Sequence, residues 1–388
     1  MTHSSSQNPN DIPMIRPGGL LAILGGGQLG RMTAMAARTM GYRVRVMDPE
    51  PACPASFVAD ETIVGRWDDV DAARRLAAGA EVVTLEIEQI GVDALRVVES
   101  LAPLRPGVEP IRIIQDKTLQ KPWLAENGFP VGPFRVVRSE AELREAVAAL
   151  GGDVFVKTGR GGYDGRGQAR IQPSDGADLG SVWRELGEHP AIVEKALDLE
   201  CEISVMAARN PSGEVRAFPA ARNHHENQIL AWSVLPAGVG PDLEARAEAV
   251  AADLVAKLGM VGLLCAEIFV TRTGELFVNE LAPRPHNSYH QSERGCATSQ
   301  FEQLVRAVCN LPLGSTELIS PCAIANLLGD LWPGKEPDFA AALEVSGVRL
   351  HLYEKHTPRA GRKMGHLSSV GATAEEALER VLEAKGRL

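Results

Sequence analysis

No run of about eighteen consecutive apolar residues occurs in this 388-residue chain, so a membrane-spanning helix is not expected. The six cysteines (Cys53, Cys201, Cys265, Cys296, Cys309 and Cys322) form no C-x-x-C pair and follow no regular spacing. That excludes a legible disulfide framework or cysteine-based zinc site, and makes buried free thiols in a reduced cytoplasm the expectation. Basic residues are outnumbered: 40 Lys and Arg against 50 Asp and Glu leave a formal net charge of −10. General nucleic-acid binding is therefore not expected, and an anionic substrate must meet a local basic cluster. Residues 1–17 lack the basic and apolar regions of a secretory leader and carry Ser, Asn, Pro and Asp instead. They read as a flexible tail, and export is not expected. Also missing are an internal repeat, a low-complexity tract and any G-x-x-x-x-G-K-[ST] of a P-loop.

What is present is the composition of a soluble enzyme, 45% hydrophobic and 23% charged, long enough for two or three cores. The apolar Val154-Phe155-Val156 reads as a short buried strand. Lys157 follows it, and then Gly159-Arg160-Gly161-Gly162-Tyr163-Asp164-Gly165-Arg166-Gly167-Gln168, with five glycines between 159 and 167. Without Cβ atoms, such backbone can bring N–H groups together around phosphate. Taken alone, the segment reads equally as a solvated hairpin with Lys157 as a surface charge.

From Leu20 onward the pattern is βαβ, with a strand over 20–24, a helix over 28–40 ending near Gly41, and a strand over 42–47. A helix over 69–78 then leads to a strand over 81–85, which predicts a doubly wound, Rossmann-like parallel sheet. Ser139-Glu140-Ala141-Glu142 is a capping box opening a helix to Leu150, and apolar spacing predicts a helix over 242–258. Proline and glycine near 311–321 suggest a joint before a small final lobe. Gly25-Gly26-Gly27-Gln28-Leu29-Gly30 matches G-x-G-x-x-G between a strand and a helix, and Asp48 stands where a dehydrogenase keeps its ribose-binding acid. An NAD-dependent oxidoreductase is therefore one reading.

Acidic residues downstream favour another. Glu194 and Lys195 close a strand-like segment, Glu202 lies in the next, Glu267 sits within 262–270, and Asn279-Glu280 follows 275–278. A turn over 271–274 would bring Glu267 and Glu280 together in a hairpin. With three ordered blocks, the chain resembles the ATP-grasp ligases, and among them the 5-(carboxyamino)imidazole ribonucleotide synthase family of purine biosynthesis. The blocks are Gly161 to Gln168 as quoted, Asn279-Glu280-Leu281-Ala282-Pro283-Arg284-Pro285-His286-Asn287-Ser288, and Gly361-Arg362-Lys363-Met364-Gly365-His366. The resemblance runs from about Gly18 to the C-terminus.

The resemblance implies an α/β and α+β architecture. It has a flexible tail over 1–17, a Rossmann-like domain over 18–118, an ATP-grasp domain over 119–321 with a flap subdomain near 134–197, and a C-terminal phosphate-binding lobe over 322–388. It implies that Lys117 and Lys157 neutralise ATP phosphates under Gly162, Tyr163, Asp164, Gly165, Arg166, Gly167 and Gln168. Adenine is expected along Glu194, Lys195, Ala196 and Leu197, with Glu202 on the ribose and His225 nearby. Glu267 and Glu280, with Asn279 beside them, are expected to hold two magnesium ions, because oxygen donors select a hard cation. His286 and His290 have i, i+4 spacing, but no third ligand stands at zinc spacing, and both are expected to line the substrate pocket.

For the ribonucleotide, the resemblance implies contacts from Gln28, Leu29, Tyr163, Asp164, Asn287, His290, Lys355 and Arg362, within a basic cluster that adds His356, Arg359 and Lys363. Tyr289 replaces a glycine usual in the family and is expected to narrow the pocket. Asp164, Arg284, His290 and Lys355 are the expected catalytic group, with Asp164 or His290 as proton acceptor. The implied substrates are ATP, bicarbonate and 5-aminoimidazole ribonucleotide, and the implied assembly is a homodimer whose product passes to a mutase. Alternatives left open are another ATP-grasp enzyme, such as formate-dependent glycinamide ribonucleotide transformylase, the oxidoreductase, and a non-enzymatic nucleotide sensor or scaffold.

Overall fold

The strand Leu20–Leu24 has all five residues buried, and the alternation of its side chains explains why. Leu21 and Ile23 pack with Ala34 and Ala37 of the helix Gln28–Thr39. Ala22 and Leu24 face the other way, onto Ala72 and Leu76 of Val70–Ala77 and Leu95 of Val92–Leu101. A strand covered on both faces reads as a continuous apolar run, which is the signature of a parallel sheet between helices. Four parallel strands form it, in the order Glu61–Val64, Arg43–Asp48, Leu20–Leu24, Val82–Leu85. Asp69 caps its helix by accepting the Ala72 N–H.

The computed structural model describes residues 12–162, 167–174, 176, 178–332 and 334–388. Within the expected tail, residues 12–17 are not loose. Ile15 is buried, donates its N–H to Cys309 O at 2.9 Å and accepts the Tyr42 hydroxyl at 2.7 Å. An apolar side chain with both backbone groups bonded is held by the core whatever the polarity of its neighbours.

A second, antiparallel sheet of four strands has the order Phe134–Val137, Ala191–Lys195, Val154–Thr158, Gln168–Ile171. It packs on the helices Glu140–Ala149 and Leu179–Glu185 through Leu143, Val147 and Trp183. Ser139 accepts the Glu142 N–H as the capping box predicts, while Glu142 accepts from Arg138 N–H, one residue before the expected donor.

The third sheet is the largest, with nine strands. Its main path runs Leu276–Ala282, Gly262–Thr271, Leu199–Arg209, Ala221–Glu226, Ile229–Leu235, Cys322–Leu328, Lys363–Val370, Arg349–Leu352. The C-terminal strands thus extend this sheet and do not form one of their own. Cys322–Leu328 is almost wholly buried and hydrogen-bonds on both sides, to Ile229–Leu235 and Lys363–Val370. A central apolar strand must have both edges paired, so the proline-rich joint precedes a continuation of the sheet. Five of the six cysteines are buried and all are free. Among the described residues, no helix is long and apolar enough to cross a membrane.

Candidate active site

A cavity of about 1010 Å³ opens where the three sheets meet. One wall comes from Lys157, Gly162, Gly167 and Gln168 of the glycine-rich hairpin, and the floor from Glu202, His225, Glu267, Asn279 and Glu280 of the large sheet. Gln28, Leu29, Glu86 and Glu88 enter from the parallel sheet, and Lys355, Arg359, Arg362 and Lys363 from the C-terminal strands.

The floor depends on a backbone irregularity. Glu267 lies opposite Glu280, but the next pair is Ile268 with Val278, so Asn279 is an extra residue in its strand. In a regular strand Asn279 and Glu280 would point to opposite faces; the bulge lets both reach the cavity. Asn279 Nδ2 lies 3.4 Å from Glu267 Oε2, and its Oδ1 accepts from Lys157 Nζ at 3.2 Å. The strand continues to Ala282, beyond the end at 278 expected from sequence. Burial and then repulsion from Glu280 push the Glu267 carboxyl up to about 7. Two carboxylates and an amide oxygen converging under repulsion fit a hard divalent cation such as magnesium.

Beside this pair stands a cluster only half legible in the sequence. Glu194 lies 2.7 Å from Lys121 Nζ and 2.6 Å from Lys157 Nζ. Burial raises its pKa, but the two ammonium groups outweigh burial and hold the carboxyl down at about 2. Lys117 Nζ reaches Glu280 at 2.8 Å. Sequence reasoning missed Lys121. Its signal was available: it sits one turn after Lys117 in the helix Lys117–Glu126, on the same face.

Along 194–197, Lys195 N–H donates to Pro133 O and Ala196 N–H to Asp153 O. Those two donors are occupied within the fold. The Leu197 N–H makes no bond within the described residues, and Leu197, Phe155 and Phe269 supply apolar cavity surface beside it. Ala196 does not line the cavity. His225 Nδ1 lies 2.8 Å from Glu202 Oε2.

The G-x-G-x-x-G loop is filled by the protein's own carboxylates. Glu86 accepts the N–H of Gly27 at 2.6 Å and of Gly30 at 3.1 Å, and Asp48 accepts the Gly26 N–H at 2.8 Å. Gly25 is needed for its φ of +106°, and Gly30 because a Cβ there would lie 2.6 Å from Gly25 O. Donors that would bind a dinucleotide pyrophosphate are therefore already taken by these carboxyl groups, and the second Asp48 oxygen accepts the Glu50 N–H. This removes the oxidoreductase reading. NADH titration followed by nicotinamide fluorescence is expected to show no saturable binding, and saturation would mean that Glu86 vacates the loop.

At the opposite end, Lys355 Nζ donates to Gln28 Oε1 at 2.6 Å and to Lys363 O at 2.8 Å, joining the first and last parts of the chain. Arg362 donates to Thr357 O at 2.9 Å. Arg284 forms a bidentate pair with Glu88, which sequence reasoning also missed. Burial opposes the charge on Glu88, but Arg284 keeps its carboxyl below the ordinary range. His356 packs edge-on against Phe57 and does not line the cavity.

The expectations for His290 and Tyr289 need correction. His290 is fully buried and does not line the cavity. Its Nε2 lies 2.8 Å from Asn287 Oδ1 and its Nδ1 3.2 Å from Gln300, while burial, then His351 and Lys363, push its pKa down to about 3. It can orient Asn287, which does line the cavity, but it cannot receive a proton from a substrate there. Tyr289 does not narrow the pocket; its hydroxyl donates into the core, to Ser204 O and Pro219 O. His286 lines the cavity, 3.4 Å from Glu267, but the intervening 3-10 turn Asn287–Tyr289 separates it from His290. Tyr163, Asp164, Gly165 and Arg166 lie outside the described residues.

Comparison with known proteins defines the class first. Residues 123–301 match the ATP-grasp domain, residues 20–115 the ribonucleotide synthetase preATP-grasp domain, and residues 322–380 the phosphoribosylaminoimidazole carboxylase C-terminal domain. The chain is 40% identical to N5-carboxyaminoimidazole ribonucleotide synthase of Bacillus subtilis over 368 residues, covering 95% of this chain and 96% of the relative. It is similar to the N5-carboxyaminoimidazole synthetase of Staphylococcus aureus solved with ADP, at a TM-score of 0.90 and 32% identity, covering 97% and 100% of the two chains. A third likeness is the Aspergillus clavatus synthase solved with ADP and 5-aminoimidazole ribonucleotide, at a TM-score of 0.87 and 30% identity, covering 96% and 100%. The chain belongs to the N5-carboxyaminoimidazole ribonucleotide synthase family of ATP-grasp ligases.

Proposed function

We propose that this chain carboxylates the exocyclic amine of 5-aminoimidazole ribonucleotide at the expense of ATP, with bicarbonate as the carbon source and ADP and phosphate as products. The observation that carries the reading is one continuous cavity with a lysine and carboxylate cluster at one end and four cations at the other. A single site can thus hold a nucleoside triphosphate and a second phosphorylated substrate, with Glu88 and Arg284 lining the same cavity.

Lys117 and Lys157 bind ATP phosphates as point charges, and Gly162, Gly167 and Gln168 close over them. Leu197 N–H and the apolar surface of Phe155 and Phe269 receive the base, and Glu202 the ribose hydroxyls. Glu267 and Glu280, with Asn279, would hold magnesium as two ions, and the metal would supply charge neutralisation at the phosphates. Lys355 and Arg362 hold the ribonucleotide phosphate, with Gln28 and Leu29 on the ribonucleotide and Asn287 beside the imidazole.

An oxygen of bicarbonate attacks the γ-phosphorus, the bond to ADP breaks, and carboxyphosphate forms. Loss of phosphate leaves carbon dioxide, the amine nitrogen bonds to its carbon, and one amine proton departs to the released phosphate. Lys157 and Arg284 stabilise charge developing on the transferred groups. Carboxyphosphate is short-lived in water, so closing the hairpin protects it. The domains span 18–118, 119–321 and 322–388, the chain pairs as a homodimer, and the labile product passes to the mutase that consumes it.

The test is ADP release with MgATP and labelled bicarbonate. Addition of 5-aminoimidazole ribonucleotide is expected to raise the rate at least ~10-fold, with label appearing in an acid-labile carbamate. Stimulation by formate with glycinamide ribonucleotide, and not by this pair, would replace the substrate assignment.

A further inference from the structure

Behind the cavity floor, buried hydroxyl and amide groups form one line of hydrogen bonds that ends at the carboxylate pair. Ser204, Asn223 and Ser233 come from three neighbouring strands of the large sheet, Leu199–Arg209, Ala221–Glu226 and Ile229–Leu235. The chain after Arg284 lays Ser288 and Gln291 against them. Asn223 is 7% exposed and the other four are fully buried. None of the five lines the cavity, and the reaction above uses none of them. Buried polar groups are costly unless each finds a partner, so where the line leads is informative.

The line has a direction. Gln291 Nε2 donates to Ser288 O at 2.7 Å, and a carbonyl can only accept, so this nitrogen is the amide donor that also reaches Ser233 Oγ at 3.2 Å. Ser233 Oγ donates to Asn223 Oδ1 at 2.9 Å, and Asn223 Nδ2 donates to Ser204 Oγ at 3.0 Å. The Ser204 and Ser288 hydroxyl oxygens are 2.7 Å apart, and Ser288 Oγ lies 2.8 Å from His286 Nδ1. With Ser204 accepting from Asn223, its own hydrogen goes to Ser288, whose hydrogen is then left for His286 Nδ1. The Ser288 N–H also faces Nδ1, at 3.5 Å. Two donors aimed at Nδ1 require a lone pair there, which places the ring proton on Nε2. Nε2 in turn faces Glu267 Oε1 at 3.4 Å. The reverse direction would set a ring N–H against the Ser288 N–H and a ring lone pair against the Glu267 carboxylate, and both contacts are repulsive.

We propose that Ser288 is a positioning residue: its hydroxyl fixes the tautomer and plane of His286, so that a neutral ring presents Nε2–H to Glu267. The inference deepens the magnesium reading of Glu267 and rests on it only for this last step. At 3.4 Å the contact is longer than most hydrogen bonds, so the ring supplies a positive edge that orients the carboxylate, and it transfers no proton. Groups one step behind a metal ligand set its direction and thereby the affinity of the site. The same logic accounts for Ser204, Asn223 and Ser233 at core positions that apolar side chains would fill at less cost. Together they supply the hydrogen that Ser288 accepts, and so leave the Ser288 hydroxyl to donate to His286.

Nitrogen-15 NMR of the full chain labelled at histidine tests this near neutral pH, without metal or nucleotide, and a His286→Asn variant assigns the ring. The parent is expected to show His286 as the Nε2–H tautomer, with its Nδ1 resonance displaced upfield by accepted hydrogen bonds. Ser288→Ala should move that resonance downfield. Ser204→Ala removes a hydroxyl of the same line but leaves the Ser288 donor, and should not. Manganese(II) binding with ADP present, read by electron paramagnetic resonance, should weaken roughly 10-fold in Ser288→Ala and less than ~3-fold in Ser204→Ala. Circular dichroism checks that each variant is folded. An Nδ1–H or doubly protonated ring in the parent overturns the proposal. So does an unchanged Nδ1 resonance or unchanged manganese affinity in Ser288→Ala, or equal changes in the two serine variants. Absence of manganese binding in a parent with the expected tautomer would overturn the metal reading of Glu267, and with it only the last step.

Discussion

Glu280→Gln is expected to lower ATP cleavage by roughly 10³-fold or more while leaving the fold intact. The side chains of Glu267 and Glu280 meet across a hairpin in a cavity where two negative charges have few uses other than holding a cation. Glutamine keeps the shape and one oxygen but removes the charge that balances Lys117, 2.8 Å away, and that would balance a bound metal ion. Stability should change little, because the Glu280 side chain is 36% exposed and the pair with Lys117 is partly screened. ADP release and a thermal melt, measured on the same preparation, separate the two effects. An active Glu280→Gln enzyme would sink the metal assignment.

Glu194→Gln should behave in the opposite way, with a large loss of stability as well as activity. Its side chain is 14% exposed, and it is the shared partner of Lys121 and Lys157, whose side chains are 6% and 14% exposed. Removing the carboxylate leaves two buried ammonium groups close together, for which a loss of about 3–5 kcal/mol is expected. The pH dependence gives a sharper reading. The carboxyl of Glu194 titrates at about 2 in the folded protein against an ordinary 4.5. A depressed folded-state pKa contributes stability that is fully present above about 4.5 and is lost as pH falls toward about 2. The shift corresponds to on the order of 3 kcal/mol. Urea midpoints measured from pH 6 downward should therefore fall more steeply for the parent than for Glu194→Gln, and the gap between them should narrow with acidity. Parallel curves would show that Glu194 is not an ionised partner of these lysines. Substitution should also weaken ATP binding, because Lys157 loses the group that holds it toward Asn279.

These two residues show how differently sequence and structure contribute. Glu280 belongs to a contiguous block, Asn279 to Ser288, whose order relative to the glycine loop was legible without coordinates. Glu194 was legible as a residue of the linker but not as the centre of a charge cluster. Its partner Lys121 is 73 positions away in sequence, and only the packing of Lys117–Glu126 against Ala191–Lys195 brings them together. His290 shows the converse. It follows that block by two residues, yet it lies behind the cavity, because the turn after Arg284 buries it against Phe301 and His366.

By itself the sequence determined the local features. These include the continuous apolar run of Leu20–Leu24, the capping box at Ser139, the glycine-rich hairpin after Lys157, and the blocks that resemble the synthase family. Each depends on neighbours within a few residues, where backbone preference and side-chain periodicity act directly. Only the tertiary structure decided which donors and charges remain available. Glu86 fills the glycine loop that looked ready for a dinucleotide, a bulge turns Asn279 into the cavity, Lys195 and Ala196 lose their N–H groups to neighbouring carbonyls, and the last strands extend the central sheet. All four depend on partners distant in sequence. A hydrogen bond or ion pair is assigned by the register and packing that bring two segments together, and no local pattern specifies that register.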